Sequence, residues 1–191
     1  MKPTEPSTYI TLDKIVLLDQ ENTAAQQQAK DAAARVAQSV LLGVESGIRV
    51  VLVRTGVVLS GEGGALEKML PPFKLGIGGR LGSGRQWFPW IHIEDIVGIF
   101  RHGMLDDSLK GPLNGAAPES VTNAEFTREL ARALHRPAFL PVPQAALRVV
   151  MGELADALFE SQRVVPAATL ASGYEFHFPQ LAPALADVLG K

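Results

Sequence analysis

The chain has 191 residues, 47% hydrophobic and 20% charged, with a formal net charge of −2, the composition of one globular domain or a domain and a half. A balance so near neutrality leaves no basic footprint for nucleic acid or an anionic membrane, and the absence of cysteine excludes disulfides, thiolate metal sites and a thiol nucleophile. No apolar run approaches the roughly 18–20 residues of a membrane span, and the start, MKPTEPSTYITLDK, lacks the basic and apolar regions of a secretory signal. A cytoplasmic location is expected, with the mitochondrion left open.

Residues 21–42 are rich in Ala and Gln and read as a helix. Its Lys30 belongs to a packing surface more readily than to chemistry. A glycine-bounded turn at 43–47 leads to 48–54, Ile-Arg-Val-Val-Leu-Val-Arg. This β-branched, largely apolar run predicts a strand covered on both faces, as in a parallel sheet. The loop after Leu59 lies at the carboxyl end of that strand, where open α/β sheets bind ligands. A helix is expected at 65–70, stopped by Pro71 and Pro72. A second strand is expected at 86–93, and a helix at 94–105 with Ile96, Val97, Phe100 and Met104 on its buried face. A third strand fits 111–116. Thr122-Asn123-Ala124-Glu125 is a capping box, and the helix it opens buries Phe126, Leu130 and Leu134. Beyond it, Ala- and Leu-rich helical segments alternate with prolines.

The segment 76–95, GIGGRLGSGRQWFPWIHIED, is the richest in chemistry. Its five glycines beside Trp87, Phe88 and Trp90 suit a shaped surface that meets a small molecule or another backbone. The aromatics serve equally well as a hydrophobic wall or as pocket lining. Residues 79–86 have the outline of a phosphate loop. They carry Arg and Gln where Lys and Ser/Thr belong, and they precede a strand instead of following one. His92 with Asp95 has no further ligands near it in sequence, so the histidine reads as structural, hydrogen-bonded where strand meets helix.

Several of these residues together resemble a family. Arg54-Thr55-Gly56-Val57-Val58-Leu59 resembles the segment after the sixth strand of extended short-chain dehydrogenases/reductases. Gly82-x-Gly84-x-Gln86, followed by Trp90-Ile91-His92-Ile93-x-Asp95, resembles their G-x-G-x-Q…V-H-V-x-D block. Leu113-Asn114-Gly115 with Val121–Phe126 looks like the strand and helix that follow. The C-terminal run Glu160-Ser161-Gln162-Arg163-Val164-Val165-Pro166, then Gly173-Tyr174-x-Phe176-x-Phe178-Pro179, is similar to the epimerase-family, NADP-dependent-oxidoreductase-like branch.

The resemblance implies an α/β fold: a partial dinucleotide-binding, Rossmann-type parallel sheet plus a mainly helical C-terminal substrate lobe. Residues 1–59 would be a remnant of the dinucleotide-binding domain with an unrelated N-terminus. Residues 60–191 would be the epimerase-like region, with sheet elements at 86–116 and the substrate lobe at 60–85 and 117–191. The implied cofactor is NADP, with Gly56, Val57 and Val58 at its nicotinamide end. The implied substrate residues are Arg85, Gln86, Trp90 and Asn114, around an unidentified small molecule.

Two departures limit the implied activity. The family's G-x-x-G-x-x-G turn, which sets backbone N–H groups and a helix N-terminus against the pyrophosphate, does not occur before Ile48. The chain therefore looks like the C-terminal part of the family, with cofactor binding weak or lost. The Tyr-x-x-x-Lys pair, whose Lys lowers the phenol pKa for proton transfer, is also absent: four residues before Lys30 stands Gln26, and neither Tyr9 nor Tyr174 precedes a Lys at that spacing. No catalytic residue and no metal site is assigned. Nucleotide-sugar epimerases commonly place an arginine four residues before the block's histidine, and here that position is Phe88, which cannot neutralise a diphosphate. Arg85 is the nearest substitute, and a ligand less charged than a sugar nucleotide is expected. Two classes of function stay open: an NADP-dependent oxidoreductase/epimerase-like protein, and a non-catalytic interaction module. An uncovered parallel edge at 48–54 would invite pairing with a second copy, so a homodimer, low stability or both are expected.

Overall fold

The computed structural model describes residues 35, 38, 45–139, 141–142 and 161–190. The chain divides into two compact units, Met1–Val50 and Val51–Lys191, and every element below belongs to the second. Arg35 and Gln38 are helical, while Tyr9, Gln26, Lys30 and most of the Ala/Gln stretch lie outside the described residues. Among the described residues no helix is long and apolar enough to cross a membrane.

The apolar run forms β1, Val51–Thr55, and β2, Val57–Leu59, with Gly56 between them. Both halves pair in parallel, as expected. β1 lies beside β5, Gly111–Gly115, with Val53 opposite Leu113 and Arg54 opposite Asn114. β2 lies beside β4, Trp90–His92, with Val58 opposite Ile91. The alternation of strand side chains separates two hydrophobic clusters. Val57, Leu59 and Trp90 face one, with Leu66, Phe73, Phe88, Phe126, Leu130 and Leu185. Val58 and Ile91 face the other, with Ile96, Ile99 and Leu113. β2 is packed on both faces, Val57 and Leu59 against one cluster and Val58 against the other, whereas β1, expected to be covered on both faces, leaves Leu52 exposed at 38%.

The second expected strand, 86–93, is broken at Pro89. β3, Trp87–Phe88, pairs antiparallel with β6, Val121–Thr122, while β4 pairs parallel with β2. Proline offers no N–H to continue a ladder, so the chain changes partner there.

Two helices depart from expectation. α1 spans Gly64–Lys74 and runs through Pro71 and Pro72 instead of stopping before them. The two missing N–H groups would have bonded the carbonyls of exposed Glu67 and Lys68, which can turn to water. The helix is held by Leu66, Met69 and Phe73, buried at helical spacing. Its end is closed by the N–H of Leu75 on the Pro71 carbonyl and that of Ile77 on Pro72. α2, Ile93–Leu105, buries Asp95, Ile96, Ile99 and Gly103. The expected buried face at Val97, Phe100 and Met104 is instead exposed, at 58%, 48% and 68%. The sheet sits under the 96–99–103 stripe, and Gly103 lets the helix close on Val51.

α3, Asn123–Leu134, opens on the expected capping box, with Thr122 and Glu125 bonded reciprocally. Phe126 and Leu130 are fully buried, and the Phe126 ring lies 4.2 Å from that of Phe88. Each such aromatic contributes about 1.5–3 kcal/mol on burial. α4, Ala167–Ala171, and α5, Leu181–Val188, complete the described fold.

Candidate functional site at the strand ends

Three backbone segments meet at Gly56. Its N–H donates to the Gly115 carbonyl at 2.9 Å, the N–H of Val57 to Pro89 at 2.7 Å, and the N–H of Ala117 to Trp90 at 2.7 Å. The fit leaves no room for a side chain: a Cβ on Gly56 would lie 2.7 Å from the Pro89 carbonyl oxygen. Gly56 thus owes its identity to the close passage of Pro89, at the point where β1 and β5 both end.

A strap, 161–166, crosses this junction. The N–H of Trp87 donates to Ser161 Oγ at 3.2 Å, Ser120 Oγ to the Val164 carbonyl at 3.4 Å, and Asn114 Nδ2 to the Val165 carbonyl at 3.0 Å. Thr169, buried in α4, donates its hydroxyl to the Asn114 carbonyl at 2.9 Å. The guanidinium of Arg163 lies over the Trp87 ring, 4.9 Å from its centre.

The expected site residues divide. Gly56, Val57 and Asn114 come together at the junction. Val58 is turned to the α2 side of the sheet, against the cluster of Ile91, Ile96 and Ile99. Trp90 and Gln86, expected to face a cleft, are buried instead, at 1% and 8% exposure. Trp90 sits on a strand covered on both faces, and its Nε1 donates to the Glu119 carbonyl at 3.1 Å. Gln86 donates Nε2 to the Leu81 carbonyl at 3.1 Å, closing the glycine-rich turn on itself. Asn114 spends its amide on the strap. Arg85 is exposed, on the glycine-rich loop beside the start of α3. Phe88 is a core residue.

The His-x-x-Asp step proves to be a latch. His92 caps α2, its Nδ1 accepting from the N–H of Glu94 at 3.2 Å. In the neutral ring that leaves the proton on Nε2, which donates to Asp187 of α5 at 3.1 Å. The imidazole also stacks on Phe178, centre to centre 3.8 Å. Asp95 is wholly buried; its carboxylate accepts the N–H of His177 at 2.7 Å and of Phe178 at 2.9 Å, and the Tyr174 hydroxyl at 3.3 Å. That hydroxyl reaches in over Gly98, where a Cβ would overlap it. Burial, then the charge and hydrogen bond of Asp95, push the Tyr174 phenol up to about 12. A phenol so held does not exchange protons near neutrality. Among the described residues no cluster of His, Cys, Asp or Glu could hold a metal.

Cavities do not by themselves choose the site. An open groove of about 510 Å³ runs along α2 beside Tyr174 and His177, far larger than the crevice of about 10 Å³ between Trp87 and the strap. The groove is lined by latch residues, by exposed side chains of α2 and by half-buried His102, whose Nε2 lies 3.0 Å from Ser172 Oγ. The strand ends hold the position at which parallel sheets bind ligands. Sequence reasoning missed Arg163 and the latch partners at 174–178, although both lie in the C-terminal run quoted above; nothing local pairs either with residues some eighty positions earlier.

Comparison with known proteins finds several similar chains. A family model described as a domain of unknown function (DUF1731) matches residues 142–188. The mouse (Mus musculus) epimerase family protein SDR39U1 is 55% identical over 142 residues, covering 74% of this chain and 48% of that protein. The crystal structure of human epimerase family protein SDR39U1 (isoform 2) with NADPH is 49% identical with a TM-score of 0.70, over 75% of this chain and 49% of that one. The nucleoside-diphosphate sugar epimerase of Corynebacterium glutamicum is 34% identical with a TM-score of 0.58, over 77% of this chain and 27% of that one. The chain spans about half the length of the curated relatives it matches.

Proposed function

We infer that this chain belongs, over the residues it shares with them, to the epimerase family of short-chain dehydrogenases/reductases, and that it is an NADP-linked oxidoreductase/epimerase-like protein acting on a small molecule at the ends of β1 and β5. The observation that carries the reading is its likeness, at 49% identity, to a protein crystallised with NADPH. The junction suits one end of that cofactor. Half-buried Val57 and the backbone of Gly56 and Val58 offer a flat, largely apolar edge for a nicotinamide, and exposed Thr55 supplies a hydroxyl. The cofactor, when bound, supplies hydride exchange. A pyrophosphate needs free backbone N–H groups, and those of Gly56 and Val57 are already bonded. The 191 residues hold no glycine-rich turn before Ile48, so this chain should bind NADPH weakly.

Titration of the whole chain with NADPH, read by ligand-observed NMR, tests this. Saturable binding in the high-micromolar to millimolar range is expected. No binding at millimolar NADPH overturns the cofactor assignment for this chain. A non-catalytic interaction role is the second reading. It is favoured by the commitment of Tyr174 and Asp95 to the latch, which keeps that phenol and that carboxylate away from the strand ends.

A further inference from the structure

The strap brings a guanidinium to the strand ends; Arg163 is an exposed residue, and what distinguishes it from other surface arginines is an indole ring beneath its charge. Arg163 lies on the face of Trp87 at 4.9 Å. A cation over an indole face is held there by the ring quadrupole, and a guanidinium so placed keeps N–H donors for an oxyanion. The backbone that carries it is pinned on both sides, by Ser161 to Trp87, by Val164 to Ser120 and by Val165 to Asn114. Among the described residues no carboxylate forms an ion pair with Arg163. The acidic residue in the same crevice, Glu119, is engaged elsewhere, its Oε2 accepting the N–H of Leu181 at 2.6 Å.

We propose that Arg163, laid on Trp87, is the anion anchor of the substrate site, and that the substrate carries a carboxylate or phosphate held at the mouth of the crevice formed by Trp87, Ser120 and Gln162. The inference rests on the reading of the strand ends as the ligand site, and it replaces Arg85 as the substrate cation. The crevice itself, at about 10 Å³, is too small for a ligand, so the anion sits on its rim. Immobilising the guanidinium before the ligand arrives lowers the ordering cost of binding.

The test uses the whole chain and two probes, inorganic pyrophosphate and succinate, which separate phosphate from carboxylate recognition. The chain has two tryptophans. Trp90 is buried and bonded, so the Trp87 indole resonance should move on binding while that of Trp90 reports that the fold is intact. At least one probe should saturate, with Trp87 shifted. Arg163→Gln should weaken that binding about tenfold, the loss of one charge-assisted contact. Arg163→Lys should fall between, because an ammonium keeps charge but not the planar fork. Arg85→Gln should bind as the parent does. Unchanged binding by Arg163→Gln, a loss in Arg85→Gln, or binding of neither probe overturns the proposal. The NADPH titration is independent: anion binding at Arg163 without NADPH binding would remove the cofactor assignment and leave this anchor standing.

Discussion

Replacing Asp95 should destabilise the unit Val51–Lys191 more than replacing any exposed acid on the same helix. The carboxylate is wholly buried and accepts two backbone N–H groups and one phenol from the 174–178 segment. Hydrogen bonds to a charged group are worth about 1.5–3 kcal/mol each. Water can reach part of the segment once the acid is gone, because His177 is exposed. Asp95→Ala should therefore cost about 3–5 kcal/mol, below the simple sum of three bonds. Asp95→Asn keeps the shape but turns an amide NH2 toward one of the two N–H donors, and should cost about 2–3 kcal/mol. Neighbouring Glu94, exposed and 3.8 Å from His177, should cost at most about 0.5 kcal/mol when changed to Ala. A loss of about 3–5 kcal/mol is a large fraction of the about 5–15 kcal/mol of a typical domain. Urea unfolding followed by the emission of buried Trp90 gives the free energies. Hydrogen exchange at the His177 and Phe178 amides gives the local effect. A cost below about 1 kcal/mol for Asp95→Ala, or unchanged exchange at those two amides, would refute the latch.

Two further changes test the junction and the cap. Gly56→Ala at a backbone free of positive φ would ordinarily stabilise by about 0.4–1 kcal/mol, but the approach of Pro89 to 2.7 Å should reverse the sign, to a loss of about 1–3 kcal/mol in thermal melts; a neutral or stabilised variant would mean the junction is looser than described. At the start of α3, Thr122→Ala should cost about 1 kcal/mol in the same melts. The N–H of Thr122, and then its hydroxyl, hold the Glu125 carboxyl below its ordinary 4.5. A depressed carboxyl adds stability above its unfolded pKa and loses it as pH falls through the folded value. The advantage of the parent chain over Glu125→Gln should accordingly be constant above pH 4.5 and shrink below it; a difference independent of pH in acid would contradict the cap.

The features legible in the order of residues are local ones. The β-branched run of β1 and β2, the strand at β5 and the Thr122–Glu125 box each depend on neighbours one to four residues apart, so composition and spacing suffice to read them. The same holds for the family resemblance, carried by short runs such as 90–95 and 161–166. Tertiary structure decided the rest. The passage of α1 through Pro71 and Pro72 depends on burial of Met69 and Phe73 beneath other elements. The exposed face of α2 depends on which side the sheet occupies, because Ile96 and Ile99 on one side and Val97 and Phe100 on the other are equally apolar. Gln86 and Trp90 suit a cleft by chemistry, and only the packing of both sheet faces shows them buried. The roles of His92, Asp95 and Arg163 lie in partners distant in the chain, Asp187, His177 and Trp87. A side chain's chemistry states what it could bond, but which bond it makes depends on what the fold places within about 3 Å of it, and no local pattern encodes that distance.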